Sequence, residues 1–266
     1  MKRGHAAAFG NRGSPNKVAL APFLSSCPEV VTLGIRPSME EYTPEERDLL
    51  LGASRIFFPT PRFADLFQAL GIATFPRPTT YRYQRSRVLQ QLLFQYMDCP
   101  HEKTRIYHGR RKARIPQDFP FPFLLLSPWT RSAASFLVSD PGDFLRTAPL
   151  FNPVLARRKV AWRERWRLLW VGFQCLGGQR LAPFESGGPS FEPVPLRPPF
   201  PGGVMERSRD LLLRAGLDDI VVEWGQTQDG EWKIIGLSRP PVKWETPGGV
   251  VHRHEHIARL IMEGKL

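Results

Sequence analysis

The sequence predicts an α/β to α+β fold, and three observations support this prediction. Strand-like and helix-like segments alternate over residues 30–76, as in proteins with a mostly parallel sheet. Strand-like segments dominate residues 105–176. Finally, an Asp229-Gly230 pair lies between two apolar runs and predicts a β-hairpin, because both central positions of a tight hairpin turn favour positive φ.

The first elements have clear start and stop signals. Thr43 is a suitable N-cap, Pro44 suits the first helical position, and Glu46 completes a capping box, which predicts a helix through Leu51. Apolar spacing closed by a glycine predicts a second helix over residues 62–70. Strands are predicted over 30–33, 55–59 and 73–76.

The later elements are predicted from apolar periodicity. One stripe of five apolar side chains predicts a long helix over residues 83–97. Trp162, Trp166 and Trp170 are spaced by four, which suggests a helical stripe, although Trp170 enters the strand predicted over 167–176. Core packing is favoured over a base-stacking platform. Further strands are predicted over 105–107, 122–126, 135–139 and 167–176, and further helices over 142–148, 205–215 and 252–263.

The 266 residues can form one large domain or two small ones. We predict a disordered tail over 1–27, an α/β region with a linking helix over 28–98, and a second domain over 99–266. Within that domain, residues 182–203 are rich in Pro, Gly and Ser, and this composition predicts a long surface loop.

Composition favours a cytoplasmic protein without a membrane segment. No apolar run approaches the roughly 20 residues that span a bilayer, and the start of the chain lacks the apolar middle of a secretory signal. The three cysteines are far apart and form no CxxC pair. His252 and His256 would share a helix face, but they lack a third ligand at a recognisable spacing and are interpreted as an exposed helix start.

The formal net charge of +12 favours an anionic partner. Clustered cations gain free energy by displacing counterions from nucleic acid or phosphate-bearing ligands. The densest cluster lies at residues 105–114. No nucleic-acid-binding motif accompanies it, so a solvated surface is the competing interpretation.

The hairpin also predicts half of a cation site. With Asp229 and Gly230 as the two loop residues, Glu223 lies opposite Gly236, and Ser238 lies on the same face. Two facing acids would make two oxygen donors converge on one side of the sheet. Here glycine stands at the second position, so only one carboxylate is present. Glu223 as an ordinary strand acid paired with an arginine is an equal alternative.

The order of these segments resembles the ATP-grasp superfamily, in particular the RimK-like carboxylate-amine ligases. The resemblance covers roughly residues 42–237. It rests on the segments FPTPRFADLFQALGIATFPRPTTY, RSRVLQQLLF, PHEKTRIYHG, FPFPFLLL, RLLWVGFQC, LDDIVVEWG and EWKIIGLSRPP. It implies a short strand-helix pre-domain followed by two ATP-grasp subdomains with antiparallel sheets.

In that family two lysines hold the ATP phosphates beneath a glycine-rich loop. The first lysine matches Arg87, whose planar fork differs from an ammonium group, and the second matches Leu126. The loop matches residues 127–135, which contain Arg131 but no glycine. The adenine-contacting hinge matches residues 152–154 and lacks its acid.

The remaining family roles concern arginines and magnesium. Arg167 matches an arginine that reaches toward phosphate or substrate, and Arg180 is matched to a second. Glu223 matches the first metal-binding acid, and Gly236 and Ser238 stand where the family has glutamate and asparagine. The resemblance implies ATP and magnesium as cofactors, but one acid and a hydroxyl suit magnesium poorly. The expected phosphate-binding residues are Arg87, Arg131, Arg167, Arg180 and Ser238.

Three functions follow as hypotheses. The first is a degenerate RimK-like protein with weak or no nucleotide binding and a role in binding or scaffolding a protein or peptide. The second is an active ATP-dependent ligase that forms a C–N bond through an acyl phosphate. The third is a nucleic-acid-associated protein built on the same scaffold. Several preorganised groups of the ligase reaction are missing, and each commonly contributes about 3 to 4 kcal/mol, which favours the first.

Overall fold

The computed structural model describes residues 17–130, 135–181, 191–195 and 203–266. The chain divides into two compact units, one ending at Thr74 and the other beginning at Phe75. This division falls earlier than the predicted boundary at residue 98. Tyr83, Leu93 and Phe94 of the linking region pack into the core of the second unit, which accounts for the difference.

The first unit is a four-stranded sheet with two helices. Strand β1 (Lys17–Ala19) pairs in parallel with β2 (Val30–Thr32) and β3 (Arg55–Phe57), and β4 (Ala73–Phe75) completes the order β2-β1-β3-β4. Helix α1 (Pro44–Leu51) precedes β3, and α2 (Pro61–Ala69) follows it. The alternation of strand and helix therefore gives the parallel pairing that the sequence predicts.

Local signals fix the helix starts of this unit. The Thr43 hydroxyl accepts a hydrogen bond from the Glu46 amide at 3.3 Å, and the Glu46 carboxylate accepts one from the Thr43 amide at 2.8 Å. This confirms the predicted capping box. Residues 17–27 differ from the predicted disordered tail, because β1 is an inner strand of the sheet and Val18 and Leu20 are fully buried in the core.

The second unit begins with two helices. Helix α3 (Pro78–Arg85) and helix α4 (Arg87–Tyr96) replace the single predicted helix over 83–97. The break falls at Ser86, which has an extended backbone and whose hydroxyl caps α4 by accepting from the Leu89 amide at 3.2 Å.

A small antiparallel sheet follows. It contains β5 (Thr104–Tyr107), β6 (Phe123–Leu126), β7 (Ser135–Val138) and β8 (Val154–Arg158) in the order β5-β8-β6-β7. Helices α5 (Ile115–Asp118) and α6 (Pro141–Thr147) lie between its strands in sequence. A phenylalanine-rich core fills this part of the unit, including Phe119 and Phe123.

The large antiparallel sheet has five strands in the order β11-β10-β9-β12-β13. Its strands are β9 (Glu164–Val171), β10 (Gln174–Leu181), β11 (Phe191–Val194), β12 (Asp219–Gln226) and β13 (Trp232–Ser238). Helix α7 (Val204–Ala215) contributes to its core, and the hairpin of β14 (Lys243–Thr246) and β15 (Gly249–His252) leads into helix α8 (Arg253–Met262).

Two sequence predictions are wrong in this sheet. Residues 167–176 are not one strand, because Gly172 and Phe173 both have positive φ and turn the chain between β9 and β10. Trp166 and Trp170 lie on β9, and the predicted core packing is confirmed for both, since Trp170 is in the core of the unit and Trp166 packs against it. Of the predicted loop over 182–203, Phe191–Val194 forms β11, and residues 182–190 and 196–202 lie outside the described residues.

A buried acid pair anchors the start of β12. Asp219 pairs with Arg253 of α8 at 2.6 Å. Asp218 accepts hydrogen bonds from the Thr80 hydroxyl at 2.8 Å and the Arg77 amide at 3.1 Å, which joins α3 to β12. Burial, opposed by these hydrogen bonds, raises the pKa of Asp218 to about 6. No helix within the described residues is long and apolar enough to cross a bilayer.

Asp218 should make stability depend on pH. The folded chain binds this proton more tightly than the unfolded chain, so the stabilisation from protonation is present below about pH 4 and is lost as pH rises toward about 6. Asp218→Asn keeps an acceptor oxygen and should flatten this part of the profile in urea unfolding. Asp210→Asn, an exposed acid on α7, is the control. Parallel profiles for the wild type and Asp218→Asn would contradict the assignment.

Candidate functional site

A cavity of about 380 Å³ lies in the second unit. Residues of both the small and the large sheet line it, together with Arg87 and Gln90 of α4. It contains three positions that the sequence predicts to be functional: Arg87, Glu223 and Ser238. We call it the first cavity.

The hairpin brings Glu223 and Gly236 together as predicted, but by another route. Gln226 pairs with Trp232, so the connection contains five residues, 227–231, and the predicted two-residue turn is wrong. A register shift beyond Glu223 leaves Ile235 without a strand partner, and this extra residue restores the pairing of Glu223 with Gly236. The longer connection shifts the pairing by one residue, and the bulge at Ile235 shifts it back by one residue.

Glu223 is already paired with a cation. Its Oε1 accepts from Nε of Arg165 at 3.0 Å and also accepts from Nη2 of the same guanidinium. Arg165 lies on β9, which pairs with β12. The side chains of Arg165 and Glu223 are both less than half exposed. In the structure, Glu223 is therefore a strand acid bound to an arginine, which was one of the two alternatives from the sequence.

Arg157 is a residue of the first cavity that sequence reasoning missed. Its Nε donates to the Thr104 hydroxyl at 3.1 Å, and its Nη1 donates to the carbonyl of Ile235, the bulged residue, at 3.2 Å. Burial, and to a smaller extent the nearby Arg87, lower the pKa of Arg157 to about 10, and Glu223 opposes both effects. The cavity therefore contains a poorly solvated cation beside a second cation.

Arg87 holds the turn after β6. Its Nη1 donates to the carbonyls of Trp129 at 2.9 Å and Ser127 at 3.1 Å, and burial lowers the pKa of its guanidinium. Leu126, at the second lysine position of the resemblance, lines the same cavity with an apolar side chain. Arg131 lies outside the described residues.

Residues 152–154, the predicted adenine hinge, are not among the described residues that line the first cavity. The Asn152 side chain accepts from the Gly109 amide at 3.0 Å, and Val154 is fully buried in the small-sheet core. The cavity wall is formed instead by the end of β8 and the chain that follows it, including Arg158 and Trp162. The Trp162 ring lies against Gly225, where an added Cβ would be only 2.4 Å from it.

Arg167 and Arg180 lie elsewhere. Arg167 lines a second cavity. Arg180 is paired with Glu164 at 3.5 Å and Glu192 at 3.4 Å, and it does not appear among the described residues of either cavity. Arg87, Glu223 and Ser238 therefore line one cavity, whereas Arg167 and Arg180 do not line it.

The basic cluster at residues 105–114 is partly engaged within the fold. Arg105 pairs with Asp118 at 2.9 Å, and the ammonium group of Lys112 donates to the carbonyls of Ala148 and Phe151. Two of its cations are thus bound internally, which weakens the case for a nucleic-acid surface here.

Comparison with known proteins identifies the fold. The chain is similar to a RimK domain protein ATP-grasp from Sphaerobacter thermophilus, with 16% identity, a TM-score of 0.62, and coverage of 84% of this chain and 90% of that one. The ATP-grasp ligase PsnB, complexed with a minimal precursor, gives 11% identity and a TM-score of 0.57, covering 85% and 90%.

A carboxyaminoimidazole ribonucleotide synthase from Aspergillus clavatus, complexed with ATP, gives 12% identity and a TM-score of 0.57, covering 84% and 69%. No family model matches the chain, and no curated protein matches it by sequence. The chain therefore has the ATP-grasp fold, with a mixed α/β architecture and antiparallel sheets.

Restoring the family residues tests the role of Arg165. Gly236→Glu with Ser238→Asn should not create a divalent site, because Arg165 neutralises Glu223. An added Cβ at residue 236 would make only a van der Waals contact with Oε1 of Gln90, at 3.4 Å, so the substitution starts without a backbone clash. Adding Arg165→Ser should tighten Mn²⁺ binding at least about tenfold in an electron paramagnetic resonance titration. The reason is that the repulsion between the ion and a unit positive charge at contact distance is more than about 1.4 kcal/mol, which corresponds to a tenfold change in affinity.

The matched control adds Arg180→Ser instead, which removes an arginine outside the first cavity. Equal Mn²⁺ affinity with and without Arg165 would show that this guanidinium does not exclude the cation.

Proposed function

We propose that this chain is a RimK-like ATP-grasp protein whose first cavity binds a phosphate-bearing ligand, such as a nucleotide, through guanidinium groups and without magnesium. In this proposal the protein acts by binding rather than by ligating a carboxylate to an amine. The similar synthase that is complexed with ATP supports a nucleotide as the ligand class.

One observation carries the proposal. Among the described residues that line the first cavity there are four arginines, Arg87, Arg157, Arg158 and Arg165, and one carboxylate, Glu223. Glu223 is itself bound to Arg165. The cavity therefore has a formal excess of three positive charges, which suits the charge of a polyphosphate.

Phosphate fits these residues physically. Guanidinium groups form forked, charge-assisted hydrogen bonds with phosphate oxygens, and these are stronger than neutral hydrogen bonds. Within the described residues, Arg157 donates to two acceptors, the Thr104 hydroxyl and the Ile235 carbonyl. A guanidinium has five N–H donors, so donors remain for a ligand. An anion would also relieve the repulsion between Arg157 and Arg87 that lowers the Arg157 pKa.

Magnesium fits the same residues poorly. The ion prefers carboxylate oxygens in octahedral geometry, and the carboxylate of Glu223 is engaged by Arg165. No cluster of three or more His, Cys, Asp or Glu side chains suited to a metal occurs in the described ranges. We therefore assign no reaction step to magnesium in this chain.

Titration calorimetry with ATP in EDTA tests the proposal. Wild-type protein should bind ATP without a divalent ion, and Arg157→Met should weaken binding at least about tenfold, because a hydrogen bond to a charged group contributes about 1.5–3 kcal/mol. Arg180→Met, whose cation lies outside the first cavity, should bind like wild type.

The change in ATP affinity of one further variant distinguishes a binding protein from a magnesium-dependent ligase. Glu223→Gln should tighten ATP binding, because it frees Arg165 for phosphate. In a magnesium-dependent ligase the same change would remove a metal ligand and weaken binding. Binding that requires magnesium and is lost in Glu223→Gln, together with conversion of ATP to ADP, would overturn the proposal.

A further inference from the structure

We infer that one surface of the second unit binds the face of a lipid bilayer that carries anionic headgroups. This surface combines three exposed arginines of a 3₁₀ helix (Gly109–Arg114) with two exposed leucines from α6 and the short 3₁₀ helix that follows it (Ala148–Leu150). We call it the arginine-leucine surface, and its members are Arg110, Arg111, Arg114, Leu145 and Leu150. None of the five is among the described residues that line the first cavity.

Two hydrogen bonds hold the arginine-bearing helix against the leucine-bearing segment. Nζ of Lys112 donates to the carbonyl of Ala148 at 3.1 Å, and the Gly109 amide donates to Oδ1 of Asn152 at 3.0 Å. Ile115, which directly follows the helix, is buried in the same core cluster as Ala148. The arginines and the leucines are therefore neighbours on the surface, although they are far apart in the sequence.

The geometry of the 3₁₀ helix turns its arginines outward. Such a helix has three residues per turn, so residues i and i+3 share one side. Gly109 and Lys112 occupy the side that meets the fold. Arg110, Arg111 and Arg114 lie on the other two sides, and all three are exposed. Within the part of the chain that the structure describes, none of their guanidinium groups forms a salt bridge.

The acids between the two segments are engaged elsewhere in the fold. Asp118 pairs with Arg105 at 2.9 Å, and Asp143 pairs with Arg146 at 2.5 Å. Asp140 caps α6 by accepting from the Asp143 amide at 2.8 Å. The three outward arginines therefore keep their positive charge for a partner, and this charge complements an anionic surface.

The two leucines are exposed because their aromatic neighbours take the core positions. Leu145 is 72% exposed and Leu150 is 57% exposed. Phe144 and Phe151, adjacent to them in sequence, pack against the core of the small sheet instead. Removing large aliphatic side chains from water is favourable, so a partner with an apolar layer gains free energy by covering both leucines.

The side-chain types favour a lipid surface over the other partners. Single-stranded nucleic acid is bound by cations together with aromatic rings that stack on bases, whereas the rings of Phe144 and Phe151 pack toward the core here. Protein-binding hot spots are rich in Trp and Tyr and poor in Leu. At a bilayer, aliphatic side chains enter the acyl boundary while long cationic side chains stay among the phosphates. Adjacent arginines and leucines match these two layers.

Sedimentation of the full chain with vesicles tests the arginines. Wild-type protein should bind phosphatidylcholine vesicles that contain about 30% phosphatidylserine at least about tenfold more tightly than pure phosphatidylcholine vesicles. Raising NaCl from about 0.1 M to about 0.5 M should weaken this binding, since salt screens exposed charges. Arg110→Gln with Arg111→Gln should weaken it at least about tenfold. Arg207→Gln with Arg209→Gln, which removes the same charge from the exposed face of α7, is the matched control and should bind like wild type.

A second pair of substitutions tests the leucines without changing the net charge. Leu145→Gln with Leu150→Gln should weaken binding to the anionic vesicles at least about tenfold, because less apolar area enters the bilayer. Leu92 and Leu213 are 48% and 51% exposed on α4 and α7, so Leu92→Gln with Leu213→Gln is the matched control. All of these positions are exposed, and thermal unfolding midpoints should stay near that of the wild type.

Equal binding of wild type to both kinds of vesicle, binding to neither, or full binding by the arginine or the leucine variant would each overturn the inference. A single-stranded RNA serves as the alternative probe. Binding of this RNA that needs the arginines but not the leucines, without vesicle binding, would assign the surface to nucleic acid instead. Arg157→Met in the first cavity should bind vesicles like wild type, which keeps this result independent of nucleotide binding.

Discussion

The ion pair between Arg165 and Glu223 determines what the first cavity can hold. The sheet places the two side chains on adjacent strands and on one face, and the guanidinium donates twice to one carboxylate oxygen. The carboxylate that would attract a divalent cation is thus neutralised from within the fold. What remains in the cavity is positive charge, and this directs the site toward anions.

Two cavities that contain cationic side chains lie along one face of the large sheet. In the first cavity several arginines, including the poorly solvated Arg157, surround a single acid. In the second, Arg167 is enclosed by aromatic rings and carries little excess charge. The chain has the ATP-grasp fold, and the fold alone does not determine the chemistry of the residues that face its cleft.

The sequence predicted features that depend on neighbouring residues, and missed those that depend on distant ones. The capping box at Thr43 is local and is confirmed. The pairing of Glu223 with Gly236 is also confirmed, although the turn length was wrong, because the bulge at Ile235 offset the error. The turn at Gly172 was missed because Phe173, which follows it, rarely adopts positive φ.

Arg87 was predicted as a site residue, but Arg157 and Arg165 escaped prediction for the same reason. Arg157 joins the site through the carbonyl that a bulge on another strand leaves free, and Arg165 joins it through the pairing of β9 with β12.

A crystal of the wild-type protein soaked with ATP and Mn²⁺ tests the central claim most directly. The account predicts phosphate density against Arg157 and Arg165 and no anomalous Mn²⁺ peak at Glu223. A Mn²⁺ ion bound to the Glu223 carboxylate, with Arg165 displaced, would contradict it.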